Sequence, residues 1–407
     1  MNTPTRTHRP GLTLRTPEDV LAKVPYLVGF HPHESLVVLA IRPDQEVHCT
    51  LRADLPPDVS WPDPERRDDA GDAAVADLVD LDVAYPGVDR GVHPGTETGV
   101  EQSTQAGVDP GTETGTETGT ETGIGGRIDE SEILDLAVHL ADVLFGQETT
   151  HALLIAYTSN SFRAGPVLRI VHAVLEAAGI TVLDRLIADG QRWWSDACLD
   201  AGCCPRSGTP YDLAHHPVTA RSVFAGEVAL ADEEALRRSI APTDGESASV
   251  MRALIARVGE EVAGRSSACA TGDAVRTTGQ RMDDACHYVA TLVETGAGVS
   301  SPLTDEQVAR ACVLVADHKT MAAVAKLVTP ETAGVHQDLW TRVLRRTVAP
   351  HDAGPATLLA FAAWSGGHGA LSRCALERAL ASDPDCPMAY FVAELLTHGV
   401  SPGHERV

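Results

Sequence analysis

Aromatic residues are scarce, at 4% of 407 residues, so a place where tryptophan clusters carries more information than usual. Long apolar runs are missing too. A run such as LVVLAI at 36–41 is far too short to cross a bilayer. The start, MNTPTRTHRPGLTLRTP, holds no apolar stretch that could serve as a secretion signal. Basic residues are few: 32 Lys and Arg stand against 57 Asp and Glu, a formal net charge of −25. Phosphate contacts need clustered cations, so this balance argues against a nucleic-acid partner. Nine cysteines, an odd number without regular spacing, do not make a disulfide framework. The phosphate-loop pattern GxxxxGK[ST] and the zinc-protease pattern HExxH do not occur. Together these absences predict a cytoplasmic chain with neither a membrane nor a nucleic acid as partner.

What is present is enough for a real core. Hydrophobic residues make up 43%, and the length allows two or three domains at roughly 150 residues each. LTL at 12–14 reads as a short strand. Thr16-Pro17-Glu18-Asp19 then supplies an N-cap, a proline for the first helical turn and acids for its dipole. The turn GFHPHES (29–35) leads into LVVLAI, a run suited to a strand covered on both faces. In VHCTLRAD (47–54), Val47, Cys49, Leu51 and Ala53 alternate with polar residues, which predicts a strand wet on one side. Between 54 and 132 the chain carries 20 acidic and 4 basic residues, so −16 of the total charge sits there. This stretch contains GTETGTETGTETG (111–123), whose composition cannot bury enough apolar surface to offset chain entropy. It reads as a disordered acidic insertion, with one helix allowed near 72–81.

Order returns with a helix near 129–145, the strand HALLIAY (151–157), a helix near 165–178 and the strand ITVLDRLI (180–187). A strand–helix–strand unit implies parallel strands joined by a right-handed crossover. Asp189-Gly190 then signals a hairpin into QRWWS. Beyond Thr219 only helical patterns recur, near 233–240, 249–263, 283–294, 304–317, 339–347, 356–364, 370–381 and 387–397. The fold expected is an α/β N-terminal domain, a mixed sheet with helices, followed by an all-α C-terminal domain. Its parts run 11–55 and 128–216 for the α/β domain, 56–127 for the insertion, 217–350 for the helical domain and 351–400 for a final hairpin.

Three places could carry chemistry. The first is the histidine turn, where His31 and His33 are candidate acid–base or metal groups and Glu34 and Ser35 could assist or merely satisfy the backbone. The second is the hairpin: Trp193 and Trp194 must point to opposite faces of a strand, and Arg192 beside them could hold an anion. Arg163, in TSNSFR, is a weaker candidate for an anion at a helix start. The third is CLDAGCCP (198–205). Cys198 with Cys203 or Cys204, completed by His215 or His216, fits the ligand types zinc takes, and zinc is the candidate cofactor. Adjacent Cys203 and Cys204 are expected to diverge, so only one should reach a given metal. Against each stands plain packing: buried tryptophans, inert thiols and a proline-fixed turn.

GFHPHESLVVL (29–39), DGQRWWS (189–195), CLDAGCCP (198–205), GTPYD (208–212), SVFAGEVAL (222–230) and LLAFAAWSGGHGALSRCALERALASDP (358–384) resemble an actinobacterial domain-of-unknown-function family. That likeness covers most of the chain outside the GTET tract and implies no catalytic residues. The last stretch also looks like a single tetratricopeptide repeat, with Gly367, Leu376, Ala379 and Pro384 in place but Ala360 and Ser372 where Gly and Ala are usual.

The leading expectation is a binding or regulatory protein with a small-ligand pocket in the α/β domain, the small molecule or protein partner being open. The alternatives are a metal- or histidine-dependent hydrolase or transferase on a small polar substrate, and a helical-repeat scaffold. Convergence of His31, His33, Arg192 and the cysteines in one cleft would favour chemistry; dispersal would favour binding.

Overall fold

A computed structural model describes residues 15–42, 47–56, 130–198, 200–242, 245–268, 278–296 and 302–402. The strand expected at 12–14, the helix near 72–81 and the acidic tract lie outside the described residues. Helix α1 (Pro17–Val28) starts where its caps predict: the Thr16 hydroxyl accepts from the Asp19 N–H, and Asp19 accepts from the Thr16 N–H, both at 3.2 Å. Gly29, left-handed at φ 92°, ends it.

Strand β1 (Ser35–Ile41) lies between β2 (Val47–Asp54) and β3 (His151–Tyr157), antiparallel to both. Helix α2 (Glu130–Gly146) precedes β3, and α3 (Ser161–Ala177) crosses over to β4 (Thr181–Ala188), which runs parallel to β3. The Asp189-Gly190 hairpin follows, its Asp189 carboxylate accepting from the N–H groups of Gln191 and Arg192. It returns the chain as β5 (Arg192–Ser195), and the two-residue β6 (Thr209–Pro210) closes the order β2-β1-β3-β4-β5-β6. The sheet is therefore mixed. Residues on both sides of the acidic tract build it, so that tract is an insertion within one sheet.

Side chains alternate between two cores. Leu36, Val38, Ala40, Leu154 and Ile187 pack with α2 and α3 on one face. Val37, Leu39, Ile155, Tyr157 and Leu186 pack on the other, in a core that takes in α1 and continues through the helical half. That half comprises α4 (Pro217–Phe224), α5 (Glu233–Ser239), α6 (Gly245–Ala268), α7 (Thr278–Gly296), α8 (Asp305–Val315), α9 (His318–Ala325), α10 (Ala333–Leu344), α11 (Ala353–Ser365), α12 (Gly369–Ser382) and α13 (Pro387–Thr397). Helix α11 is buried on nearly every side and forms its centre. Ser372 of α12 donates to the Ala360 carbonyl of α11 at 2.7 Å, so the buried hydroxyl in the final hairpin is satisfied. No described helix is long and apolar enough to cross a membrane.

Three expectations need correction. Strand β2 is not wet on one side: Arg52 is 11% exposed, because Glu233 of α5 pairs with it at 2.9 Å. Val47 does not share a face with Cys49 and Leu51; a register shift between Ala40 and Ile41 sends it to the opposite core. The helix expected at 304–317 stops at Val315, and Asp317 caps a separate α9 by accepting from the Thr320 N–H at 2.9 Å.

Two largely covered charges tie these elements together. Glu233 receives Arg52 of β2, Arg237 of its own helix at 2.7 Å and Arg373 of α12 at 2.6 Å. Arg378 of α12 donates to Asp352 at 2.8 Å and to the carbonyls of Leu344, Thr347 and Ile240. One planar guanidinium thus serves the C-terminal ends of α5 and α10 and the start of α11. Arg378→Ala will cost about 3–5 kcal/mol in urea unfolding, since Asp352 is left buried and uncompensated. Arg378→Lys will recover less than half of that, because one ammonium cannot span the same acceptors.

Candidate functional site

The strand register decides what meets at the upper edge of the sheet. Ser35 pairs with Tyr157, and Tyr157 pairs with Ala188. The turn before β1, the loop after β3 and the loop after β4 therefore leave the sheet side by side. In an α/β sheet this carboxyl-end edge is where ligands bind. A cleft of about 130 Å³ opens there, lined by His31, Pro32 and His33, by Tyr157, Thr158 and Ser159, by Asp189 and Gly190, and by Pro25, Ala188, Tyr211 and Leu213. Both imidazoles are exposed, and neither ring hydrogen-bonds within the described residues. Beneath them the buried Tyr157 hydroxyl has no hydrogen-bond partner among the described residues. Burial, and then Tyr211 beside it, pushes the Tyr157 phenol far above its ordinary range. Burial likewise pushes Tyr211 up to about 12.

The wall between turn and loop is held by Glu34. Its carboxylate accepts from the Thr158 hydroxyl at 2.9 Å and 3.0 Å and from the Ser159 N–H at 3.4 Å. Its carbonyl accepts from the Leu55 N–H at 2.9 Å. The backbone of Glu34 is left-handed, φ 43°, a conformation that costs a residue with a Cβ about 1–2 kcal/mol. Ser35 below it donates to the His33 carbonyl and accepts from Arg52, so the turn is anchored to the Glu233 cluster.

The hairpin beside the cleft is filled by packing. Trp193 is buried in the core that holds α1, its indole N–H donating to Glu18 at 2.9 Å. Trp194 faces the opposite core, half-buried, and donates to the Arg206 carbonyl at 3.1 Å. Gly208 lies flat on its ring: a Cβ there would sit 2.6 Å from Trp194, and φ is +74°. Arg192 donates to the carbonyls of Ser207 and Gly208, so it fastens the loop that follows and does not line the cleft. The side chain of Arg163 lies outside the described residues.

The cysteines form a second group, on the loop between β5 and β6. The sulfurs of Cys198, Cys203 and Cys204 lie within 4.8 Å of one another. Adjacent cysteines were expected to diverge. They do not, because the N–H groups of Cys203 and Cys204 both donate to the Asp200 carbonyl, a turn that keeps successive side chains on one side. Burial, and then hydrogen bonding with the two neighbouring thiols, pushes Cys204 up to about 12. His215 is not in this group; its Nδ1 faces Asp212 at 2.6 Å, 87% exposed. His216 accepts from the Val218 N–H as the N-cap of α4.

A family model described as Domain of unknown function (DUF4192) matches residues 17–102 and 118–403. The chain belongs to that family. The unmatched residues, 103–117, lie inside the acidic tract. No curated protein and no solved structure matches the chain.

In this DUF4192 chain the structure brings His31 and His33 together with residues that pattern reading passed over. Tyr157 reads as the last residue of a buried strand, Asp189 as a turn former and Tyr211 as part of a loop. Only the pairing of β1 with β3 and β3 with β4 places them opposite the histidines. The left-handed clamp gives a direct test. Glu34→Ala, which keeps the backbone penalty and loses the carboxylate, will unfold at lower denaturant than Glu34→Gly, by about 1 kcal/mol. Equal stability of the two variants would mean that Glu34 stores no strain.

Proposed function

We propose that the chain is a cytoplasmic binding or regulatory protein whose α/β part holds a small polar ligand rich in hydrogen-bond acceptors. The observation that carries this reading is the cleft at the carboxyl end of β3 and β4, where two imidazoles and a buried Tyr157 hydroxyl have no hydrogen-bond partner among the described residues. A buried donor without a partner costs about 1–3 kcal/mol, which an acceptor on a ligand returns. The imidazoles add ring nitrogens that can donate to the same ligand.

Dispersal of the other candidates supports binding over catalysis. Arg192 fastens a loop, both tryptophans pack, and the three sulfurs belong to a different loop. Arg192 and the cysteines therefore do not join the histidines in the cleft. A small carboxylate suits the donors present.

The test is a thermal-shift and calorimetric screen of small carboxylates, sugars and nucleotides on the full chain. A true ligand at a hundredfold excess over its Kd will stabilise the protein by about 2.7 kcal/mol. Tyr157→Phe, which removes only the hydroxyl, and His31→Ala will each weaken that ligand at least about tenfold, a loss of about 1.4 kcal/mol. Compounds that bind equally well to both variants would place the ligand elsewhere. Conversion of the bound compound during the titration would overturn binding as the role and make the cleft catalytic.

A further inference from the structure

The loop from 196 to 208 joins β5 to a strand of only two residues. Loops of this length without their own secondary structure need something to hold them. Two turns organise it locally. Ser195 accepts from the Cys198 N–H at 3.1 Å and donates to Asp184 at 2.7 Å, which fixes the entry. Asp200 then gathers the N–H groups of Gly202, Cys203 and Cys204, and Gly208 closes on the Pro205 carbonyl at 2.8 Å. These turns leave the side chains of Cys198, Cys203 and Cys204 facing one point.

The spacing of those sulfurs matches a metal. With Zn–S bonds of about 2.3 Å, the edge of a tetrahedron of sulfurs is about 3.8 Å. Cys203 and Cys204 have their sulfurs 4.0 Å apart, and all three lie within 4.8 Å of one another. Three thiols crowded this closely, each with only a weak S–H donor, satisfy one another poorly. A shared soft cation accepts all three at once.

We propose that Cys198, Cys203 and Cys204 bind one zinc ion, which staples the loop between β5 and β6. Each sulfur binds as thiolate, so loading releases the thiol protons to solvent and no electron is transferred. Three vertices of the tetrahedron are sulfur. The fourth is open on the side of the exposed Cys203 and takes water or a small added ligand. The stapled segment is the one that covers Trp194 with Gly208, receives Arg192 on the Ser207 and Gly208 carbonyls, and continues to Tyr211 in the cleft wall. Zinc binding itself does not depend on the ligand assignment above; only its effect on the cleft does.

The experiment uses the full chain, reduced, stripped with a chelator and reloaded with zinc or cobalt alone. Elemental analysis will find about one zinc per chain. Cobalt will give the visible bands of a tetrahedral site and a sulfur-to-cobalt charge-transfer absorption in the near ultraviolet. Cys203→Ser, at an exposed position that leaves folding intact, will lower that absorption by about a third and weaken zinc at least about tenfold. Cys198→Ser with Cys203→Ser will abolish uptake, while Cys286→Ser, on α7, will retain it. Reduced protein that takes up neither metal overturns the site, and so does full uptake by the double variant. Ligand shifts in the zinc-free protein are scored separately, so failure of the metal site leaves the cleft to be judged by its own variants.

Discussion

Strands β1 and β3 are apolar on both faces, and neither face can be left in water. This constraint organises the molecule. Helices α2 and α3 cover one face, as a crossover connection naturally does. The other face would stay open if the α/β part ended with its own elements, since α1 is only 12 residues long. The helical half completes that cover, and one core accordingly runs from Val37 and Ile155 to Leu376 and Val392. The charged contacts follow from this arrangement. Glu233 joins β2 to α12, and both of its long-range partners are arginines that reach it along apolar surface.

The same geometry makes the cleft. A sheet in which β1 runs against β3, and β3 runs with β4, sends three connections out of one edge. Glu34 then bends one connection onto the next at a cost in backbone strain, held by hydrogen bonds to its carboxylate and carbonyl. The strained turn thus stands beside an open cleft whose buried Tyr157 hydroxyl has no hydrogen-bond partner among the described residues.

Much of this was legible wherever the signal was local. The Thr16–Asp19 cap, the Asp189-Gly190 hairpin, the buried run of β1 and the proline that opens α13 each name their own structure. The failures are long-range. Nothing within VHCTLRAD tells that Arg52 will meet Glu233, 181 positions later in the chain, so its face reads as wet. β6 is two residues long and exists only through its pairing with β5. For the cleft, the histidine turn was visible as a loop at a strand end, whereas its tyrosines became neighbours only through strand register. For the cysteines, pattern reading took adjacent side chains to diverge, and the Asp200 turn reverses what adjacency implies.

The outermost strand has a further consequence. β6 offers two residues, and Pro210 has no N–H to give. A strand that short, ending in proline, is a poor template for backbone pairing with a second polypeptide. At that margin the protein is guarded against edge-to-edge aggregation, and any specific association there must be made by side chains.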